Sequence, residues 1–237
     1  LMAKGENSLH ELNEKEGLGS WKHADGWGIA YLNEKGKLTI KKSPKPIFED
    51  QEVEKLRKIK TKLLIIHARR KAGSEIALEN THPFKANHPA LGTCVFCHNG
   101  FIQDEIKFNP KYKPKGKTDS EKLFYSLLSE VKDDKIETTL QKNLQKYTQT
   151  KGSNVVLAAK DKTYVAVRKT ELPRYYGMSL ATGKDFVVIS SEKLKTLPAI
   201  SWKSVAPGSV ITLYNGSTKF TLSKENIFQK MITLLQK

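Results

Sequence analysis

The chain has 237 residues, of which 38% are hydrophobic and 8% aromatic, enough for a sizeable core and too apolar for a disordered chain. Its apolar runs, such as Leu63-Leu64-Ile65-Ile66, fall far short of the ~18 residues of a membrane span, and Leu1 to Glu6 has no apolar stretch of signal-peptide length. Two cysteines cannot build a disulfide framework, so a reduced cytoplasmic protein with no membrane partner is expected.

Lysine and arginine total 41 against 25 acidic residues, a net charge of +16. Clustered cations would suit phosphate neutralisation. However, only Arg57, Arg69, Arg70, Arg168 and Arg174 are arginines, and the 36 lysines are spread through the chain. Arginine is preferred where planar, bidentate phosphate or base contacts matter. Dispersed lysine fits a compositional bias, so a basic nucleic-acid-binding module is the weakest reading.

In chain order, Trp27 to Leu32 and Lys37 to Ile40 read as a hairpin across Asn33-Glu34-Lys35-Gly36. Glu49 to Lys60 carries Val53, Leu56 and Ile59 at helical spacing, and Leu63 to His67 reads as a buried strand. Ala68 to Ala90 is too irregular for either period. Gly92 to Cys97 is a strand that would end in the turn pair Asn99-Gly100. Lys107 to Lys117 is a loop, and Thr118-Asp119-Ser120-Glu121 opens a helix whose apolar face is Leu123, Phe124, Leu127 and Leu128. A second helix is expected over Lys135 to Tyr147. Strands follow at Val155–Ala159, Tyr164–Val167, Phe186–Ile189 and Val210–Tyr214, then a helix from about Lys224 to Leu235. Strands in two blocks with helices between and after them favour layered α+β over alternating βαβ units.

Polar residues gather at the strand ends of the first half: His23-Ala24-Asp25-Gly26-Trp27-Gly28, His67-Ala68-Arg69-Arg70, Glu79-Asn80-Thr81-His82-Pro83-Phe84, His98-Asn99-Gly100 and Thr118-Asp119-Ser120-Glu121. Function tends to sit at such places on a rigid scaffold. These DGWG, HxR, ENTHPF, HNG and TDSE segments, in this order, resemble the class II glutamine amidotransferases, a branch of the N-terminal-nucleophile hydrolases, and in particular their small stand-alone members. Val188 to Leu194 and Ala206-Pro207-Gly208 look like the second half of that family. The resemblance covers most of the chain and implies a single domain over 1–237, folded as an αββα four-layer sandwich.

It also implies roles. Arg69 would hold the glutamine α-carboxylate in its guanidinium fork, the alternative being a surface ion pair. Asp119 would bind the α-ammonium, the alternative being a plain helix cap. Asn99, by its side-chain amide, and Gly100, by its backbone N–H, would form the oxyanion hole; alone, the pair reads as a type I′ hairpin turn. His82 precedes a proline and sits in extended backbone, either lining the pocket or purely structural. Asp25 and Trp27 belong to a loop beside the nucleophile, with Trp27 equally suited to the core. The substrate would be glutamine or a γ-glutamyl compound, with no cofactor and no metal. Ammonia transfer would need an accepting partner protein.

The pattern breaks at the nucleophile. The family's thiol belongs to a cysteine at the mature N-terminus, whose α-amine serves as base. Residues 1–22 contain no cysteine, and Leu1 to Gly19 is mostly polar where the family has its first strand. Either the sequence begins after the true N-terminus or the protein is a dead glutamine-binding or scaffold homologue; as given, the chain would be inactive. Cys94 and Cys97 read as buried inert thiols. A Cys97–His98 dyad and a zinc site from His67, His82 and His98 are the remaining alternatives, the latter without HxH or HExxH spacing.

Overall fold

The computed structural model describes residues 23–56, 58–132, 135–168, 170, 172–194 and 201–223. The expected helix at 224–235 and the polar segment at 1–19 lie outside these residues. The first hairpin joins β1 (Trp27–Leu32) to β2 (Leu38–Ser43). It turns where the Asn33 side chain accepts the backbone N–H of Lys35 and of Lys37, each at 3.0 Å, and Gly36 takes a φ of +68°. A short helix α1 (Glu52–Leu56) leads to β3 (Leu64–Ala68), which pairs antiparallel with β1, giving a three-stranded sheet in the order β2-β1-β3.

The main sheet has six antiparallel strands. It contains β4 (Phe84–His88), β5 (Gly92–Ile102), β6 (Thr150–Ala159), β7 (Lys162–Ala166), β11 (Val210–Tyr214) and β12 (Phe220–Ser223). Their spatial order is β12-β11-β7-β6-β5-β4. Between β5 and β6 the chain forms α2 (Asp119–Glu130) and α3 (Ile136–Gln145). After β7 come the single turn α4 (Pro173–Tyr176) and a second three-stranded sheet of β8 (Ser179–Thr182), β9 (Val187–Ser190) and β10 (Trp202–Ser204), in the order β10-β8-β9.

Alternation along β5 explains the layers. Cys94 and Phe96 face α2 and α3, where Phe96 stacks on Phe124 at 5.0 Å within a cluster that includes Leu123, Leu127, Leu128, Leu140 and Leu157. Val95 and Cys97 point the other way, onto Ala30, Leu38 and Ile65 of the first sheet. The outer face of that sheet buries Trp27 and Ile29 against Ile47 and Val53 of the α1 segment. The second small sheet covers Val165 and Ile211 with Met178 and Leu180. Helices, six-stranded sheet, small sheets and α1 thus stack as αββα. Each fully buried Phe or Leu contributes roughly 1.5–3 kcal/mol, so the two-sided burial of β5 is a main tie between the layers. No helix among the described residues is long and apolar enough to cross a membrane.

Several expectations are corrected. The convergence of their polar ends on one pocket leads to the expectation that β1, β3 and β5 lie in one sheet, but β1 and β3 form the small sheet and β5 the large one. The reason is that β5 is apolar on both faces and needs a layer on each side. Asn99-Gly100 makes no hairpin turn: β5 continues to Ile102, pairing Asn99 with Asn154 and Gly100 with Ser153, with a bulge between Gly100 and Ile102. The stretch 68–90 contains β4, in which exposed Lys85 and Asn87 alternate with Phe84, Ala86 and His88, a strand period that spans only five residues of an otherwise irregular stretch. The short strands β8, β10 and β12 carried no recognisable pattern, and the helix expected from Glu49 is only five residues long.

Candidate functional site

The polar segments converge where the two sheets part. On β3 the inward-facing residues alternate, Ile65 then His67, and Arg69, one residue beyond the strand, follows in the same alternation. His67 Nε2 lies 3.3 Å from the His98 carbonyl oxygen, tying the end of β3 to β5 just before Asn99. Asn99 lies on the same face of β5 as Val95 and Cys97, toward the first sheet.

Helix α2 approaches the same stretch of β5 from the other side. Thr118 is its N-cap, its hydroxyl accepting the Glu121 N–H at 3.1 Å. The Glu121 carboxylate accepts the N–H of Lys115 at 3.0 Å and of Gly116 at 2.8 Å, pinning the preceding loop. Capping therefore falls to Thr118, and the plain-cap reading of Asp119 is overturned. Asp119 Oδ2 instead accepts the Ile102 N–H at 2.9 Å, across the bulge of β5. The five residues 98–102 thus contact both β3 and the start of α2.

Arg69 is only 3% exposed. Its Nη1 donates to the Asp25 carbonyl at 3.0 Å, and its Nη2 to Ser74 Oγ at 2.7 Å and the Glu75 carbonyl at 3.3 Å. Backbone bonds from Arg69 N to Gly26 O and from Asp25 N to Arg69 O bind it to the Asp25 loop, and Asp25 Oδ2 accepts the Lys71 N–H at 2.8 Å. Among the described residues no carboxylate forms a salt bridge with this guanidinium. At 3% exposure Arg69 does not fit a surface ion pair; among the described residues its guanidinium is held by neutral oxygens, an arrangement suited to an anionic ligand. Burial lowers its pKa, which Asp25 partly offsets, and a guanidinium stays charged regardless.

His67 and His82 lie near Arg69, with His23 and His98 close to His67. His23 Nδ1 lies 2.9 Å from the Ala68 carbonyl, and the His67 and His82 rings are 4.1 Å apart between centroids. Burial is the first cause of every shift: it pushes His67 down to about 3, drives His82 well below its ordinary value and lowers His98, so all three are neutral at pH 7. Both ring nitrogens of His82 are buried with no hydrogen-bond partner among the described residues, and its ring meets Phe84 edge-on at 4.7 Å. No group of three or more His, Cys, Asp or Glu side chains among the described residues is arranged to hold a metal ion.

The two thiols do not form a site. Cys94 and Cys97 face opposite sides of β5, and burial pushes the Cys94 thiol up to about 12 and the Cys97 thiol higher still. Cys97 and His98, being adjacent in a strand, also point to opposite faces, which overturns the Cys97–His98 dyad. Trp27 is 2% exposed in the α1 core, its indole N–H donating to Asp50 Oδ2 at 3.1 Å, so packing accounts for its ring.

Some site residues escaped the sequence. Ser153 and Asn154 on β6 face His98 and Tyr176 respectively: Ser153 Oγ is 3.1 Å from His98 Nε2, and Asn154 Nδ2 donates to the Tyr176 carbonyl at 2.5 Å. Their one local signal was a polar pair before the apolar run from Val155. Gly152 beside them has φ +79°, and a Cβ there would come within 2.4 Å of the Tyr176 ring, so α4 seats directly on it.

Residues 8–174 match the family described as glutamine amidotransferases class-II. The chain is 29% identical over 226 residues to the Escherichia coli protein named "Putative glutamine amidotransferase YafJ", covering 93% of this chain and 80% of that one. Among solved structures, it superposes on a glutamine aminotransferase class-II domain protein from Silicibacter pomeroyi with a TM-score of 0.63 at 17% identity, covering 84% of this chain and 91% of the other. The glutamine phosphoribosylpyrophosphate amidotransferase of B. subtilis matches with a TM-score of 0.63 at 19% identity over 86% of this chain, which spans only 44% of that longer one.

Proposed function

The chain belongs to the class II glutamine amidotransferases, and from that premise we propose that it binds glutamine or a γ-glutamyl compound between its sheets and releases the γ-amide through a γ-glutamyl thioester. The observation that supports this reading is the meeting of three elements on residues 98–102 of β5, with buried Arg69, which has no salt bridge among the described residues, on the β3 side and Asp119 on the α2 side. Arg69 takes the α-carboxylate with its guanidinium fork, and Asp119 the α-ammonium, so the zwitterion is gripped at both charges. The γ-carboxamide then lies toward Asn99 and Gly100, whose side-chain amide and backbone N–H stabilise the oxyanion of the tetrahedral intermediate. His82 and the Asp25 loop close the pocket near Arg69.

The attacking thiol is neither Cys94 nor Cys97, since both are buried and resist ionisation. The reading requires the N-terminal cysteine that characterises the family, with its α-amine as base. Released ammonia passes to water, or to an acceptor carried by a partner protein.

The test is ammonia release from glutamine and from γ-glutamyl amides by the full-length protein, with Asn99→Ala beside it. The wild type should turn over, and Asn99→Ala should lower kcat by ~10²–10³-fold. A polypeptide beginning at Leu1 should bind glutamate without releasing ammonia. Glutamate binding with no turnover in the full-length protein would instead establish the dead-homologue reading.

A further inference from the structure

The geometry assigns to His98 the part of a positioning residue that couples the two halves of the site, the oxyanion donors and the ammonium-binding carboxylate. This inference rests on the glutaminase reading above. His98 is 2% exposed, and both ring nitrogens are engaged: Nδ1 lies 2.9 Å from Ser120 Oγ and Nε2 lies 3.1 Å from Ser153 Oγ. Each serine leads to one half of the site. Ser120 follows Asp119 on α2, and its hydroxyl donates to Asp119 Oδ1 at 3.4 Å, while Asp119 Oδ2 sits 3.9 Å from His98 Nδ1. Ser153 is the ladder partner of Gly100, and a Cβ on Gly100 would come within 2.7 Å of His98 Nε2, so the ring lies directly beneath the Gly100 backbone.

Hydrogen-bond arithmetic fixes the protons. A neutral imidazole has one donor and one acceptor nitrogen. Ser120 spends its proton on the Asp119 carboxylate, so it accepts from His98 at Nδ1, and Nε2 then accepts the Ser153 hydroxyl proton. The result is one directed chain, Ser153 to His98 to Ser120 to Asp119. It sets the Asp119 carboxylate and the Gly100 segment in register with each other, although they belong to a helix and a bulged strand.

The chain predicts two different losses from two conservative changes. The amide nitrogen of His98→Asn occupies the Nδ1 position and keeps the Ser120 arm, and the carbonyl oxygen of His98→Gln reaches the Nε2 position and keeps the Ser153 arm. In full-length enzyme, His98→Gln should raise KM for glutamine about tenfold or more with kcat within about threefold, because the carboxylate loses its orientation. His98→Asn should lower kcat by ~10–10²-fold with KM near wild type, because the oxyanion segment loses its support. Ser120→Ala and Ser153→Ala should reproduce the two patterns if either His98 variant fails to fold. Imidazole ¹⁵N spectra of the wild type should show the Nδ1–H tautomer at His98.

Equal losses of kcat and KM in both variants, tracking a common loss of thermal stability, would reduce His98 to a structural residue and overturn the inference; an Nε2–H tautomer or an imidazolium would also overturn it. If the wild-type protein releases no ammonia, the functional reading fails on that count. Glutamate titration then decides the coupling by itself: His98→Gln should weaken binding about tenfold and His98→Asn should leave it within about threefold, and the reverse or no difference refutes it.

Discussion

Asp119 joins two roles that substitution can separate. Its Oδ2 closes the β5 bulge by accepting the Ile102 N–H, and its charge is the proposed partner of the substrate ammonium. Asp119→Asn keeps a carbonyl oxygen for Ile102 and discards the charge, whereas Asp119→Ala discards both. Both changes remove a negative charge from the first turn of α2, which costs ~0.3–1 kcal/mol, so their difference isolates the hydrogen bond. Ile102 is 4% exposed, and stranding its N–H costs about 1–3 kcal/mol. For a domain of this size, about 2 kcal/mol corresponds to a fall in Tm of ~4–8 °C, expected for Asp119→Ala beyond that of Asp119→Asn. Binding should behave differently. The Asp119 side chain is 18% exposed, so water screens its charge only in part, and losing a charged hydrogen-bond acceptor costs about 1.5–3 kcal/mol. Both variants should therefore bind glutamate ~10–150-fold more weakly by calorimetric titration. Equal melting temperatures would discredit the bulge contact, and an unchanged affinity in Asp119→Asn would remove Asp119 from the ligand site.

Arg69→Lys cannot reproduce bonds to the Asp25 carbonyl, Ser74 and the Glu75 carbonyl at once, so stability should fall by about 2–4 kcal/mol and glutamate affinity by about tenfold or more. Denaturant titration and calorimetry check both, and an unaltered affinity would refute the carboxylate role. Cys97→Ser in the full-length protein should leave ammonia release within about twofold of wild type, since a thiol so resistant to ionisation is no nucleophile; abolished release would return Cys97 to the mechanism. For His67 the folded pKa of about 3 lies below an unfolded value near 6.5, so the native state binds fewer protons than the unfolded one. Its contribution to stability is whole above pH 6.5 and is lost as the pH falls from there toward 3, by up to about 1.4 kcal/mol per pH unit. Urea midpoints between pH 6 and 4 should fall less steeply in His67→Gln, and an identical slope would contradict the buried neutral imidazole.

Where periodicity spans a whole element, the sequence was readable. The apolar face Leu123, Phe124, Leu127 and Leu128 and the start signal Thr118-Asp119-Ser120-Glu121 placed α2 correctly, and Val210–Tyr214 coincides with β11. The hairpin turn was legible because Asn33 and Gly36 have local reasons to be there. The strands β8, β10 and β12 have three or four residues each, too few to show a period. The sheet to which β5 belongs was not legible for a different reason. A strand buried on both faces carries no inside and outside, so it cannot announce which neighbour it pairs with.

The site shows the same limit more sharply. Arg69 and Asp119 were singled out through the family resemblance of the segments that carry them, whereas Asn99-Gly100 carried a misleading local meaning, because that dipeptide is the strongest short-range turn signal. What keeps the strand straight there is non-local: His67 on the His98 carbonyl, Ser120 and Ser153 on its ring, and Asn154 opposite Asn99, partners separated by up to 55 residues. Buried polar groups must be paired, so a His-Asn-Gly run placed directly after the two-sided apolar stretch Cys94 to Cys97 demands partners from several elements at once. Such a run is costly as plain structure, because an apolar continuation of β5 would need none of those partners. Its presence in a strand is therefore itself a reason to look for chemistry at that point, and it directs attention to the supporting serines as well as to the groups that face the ligand.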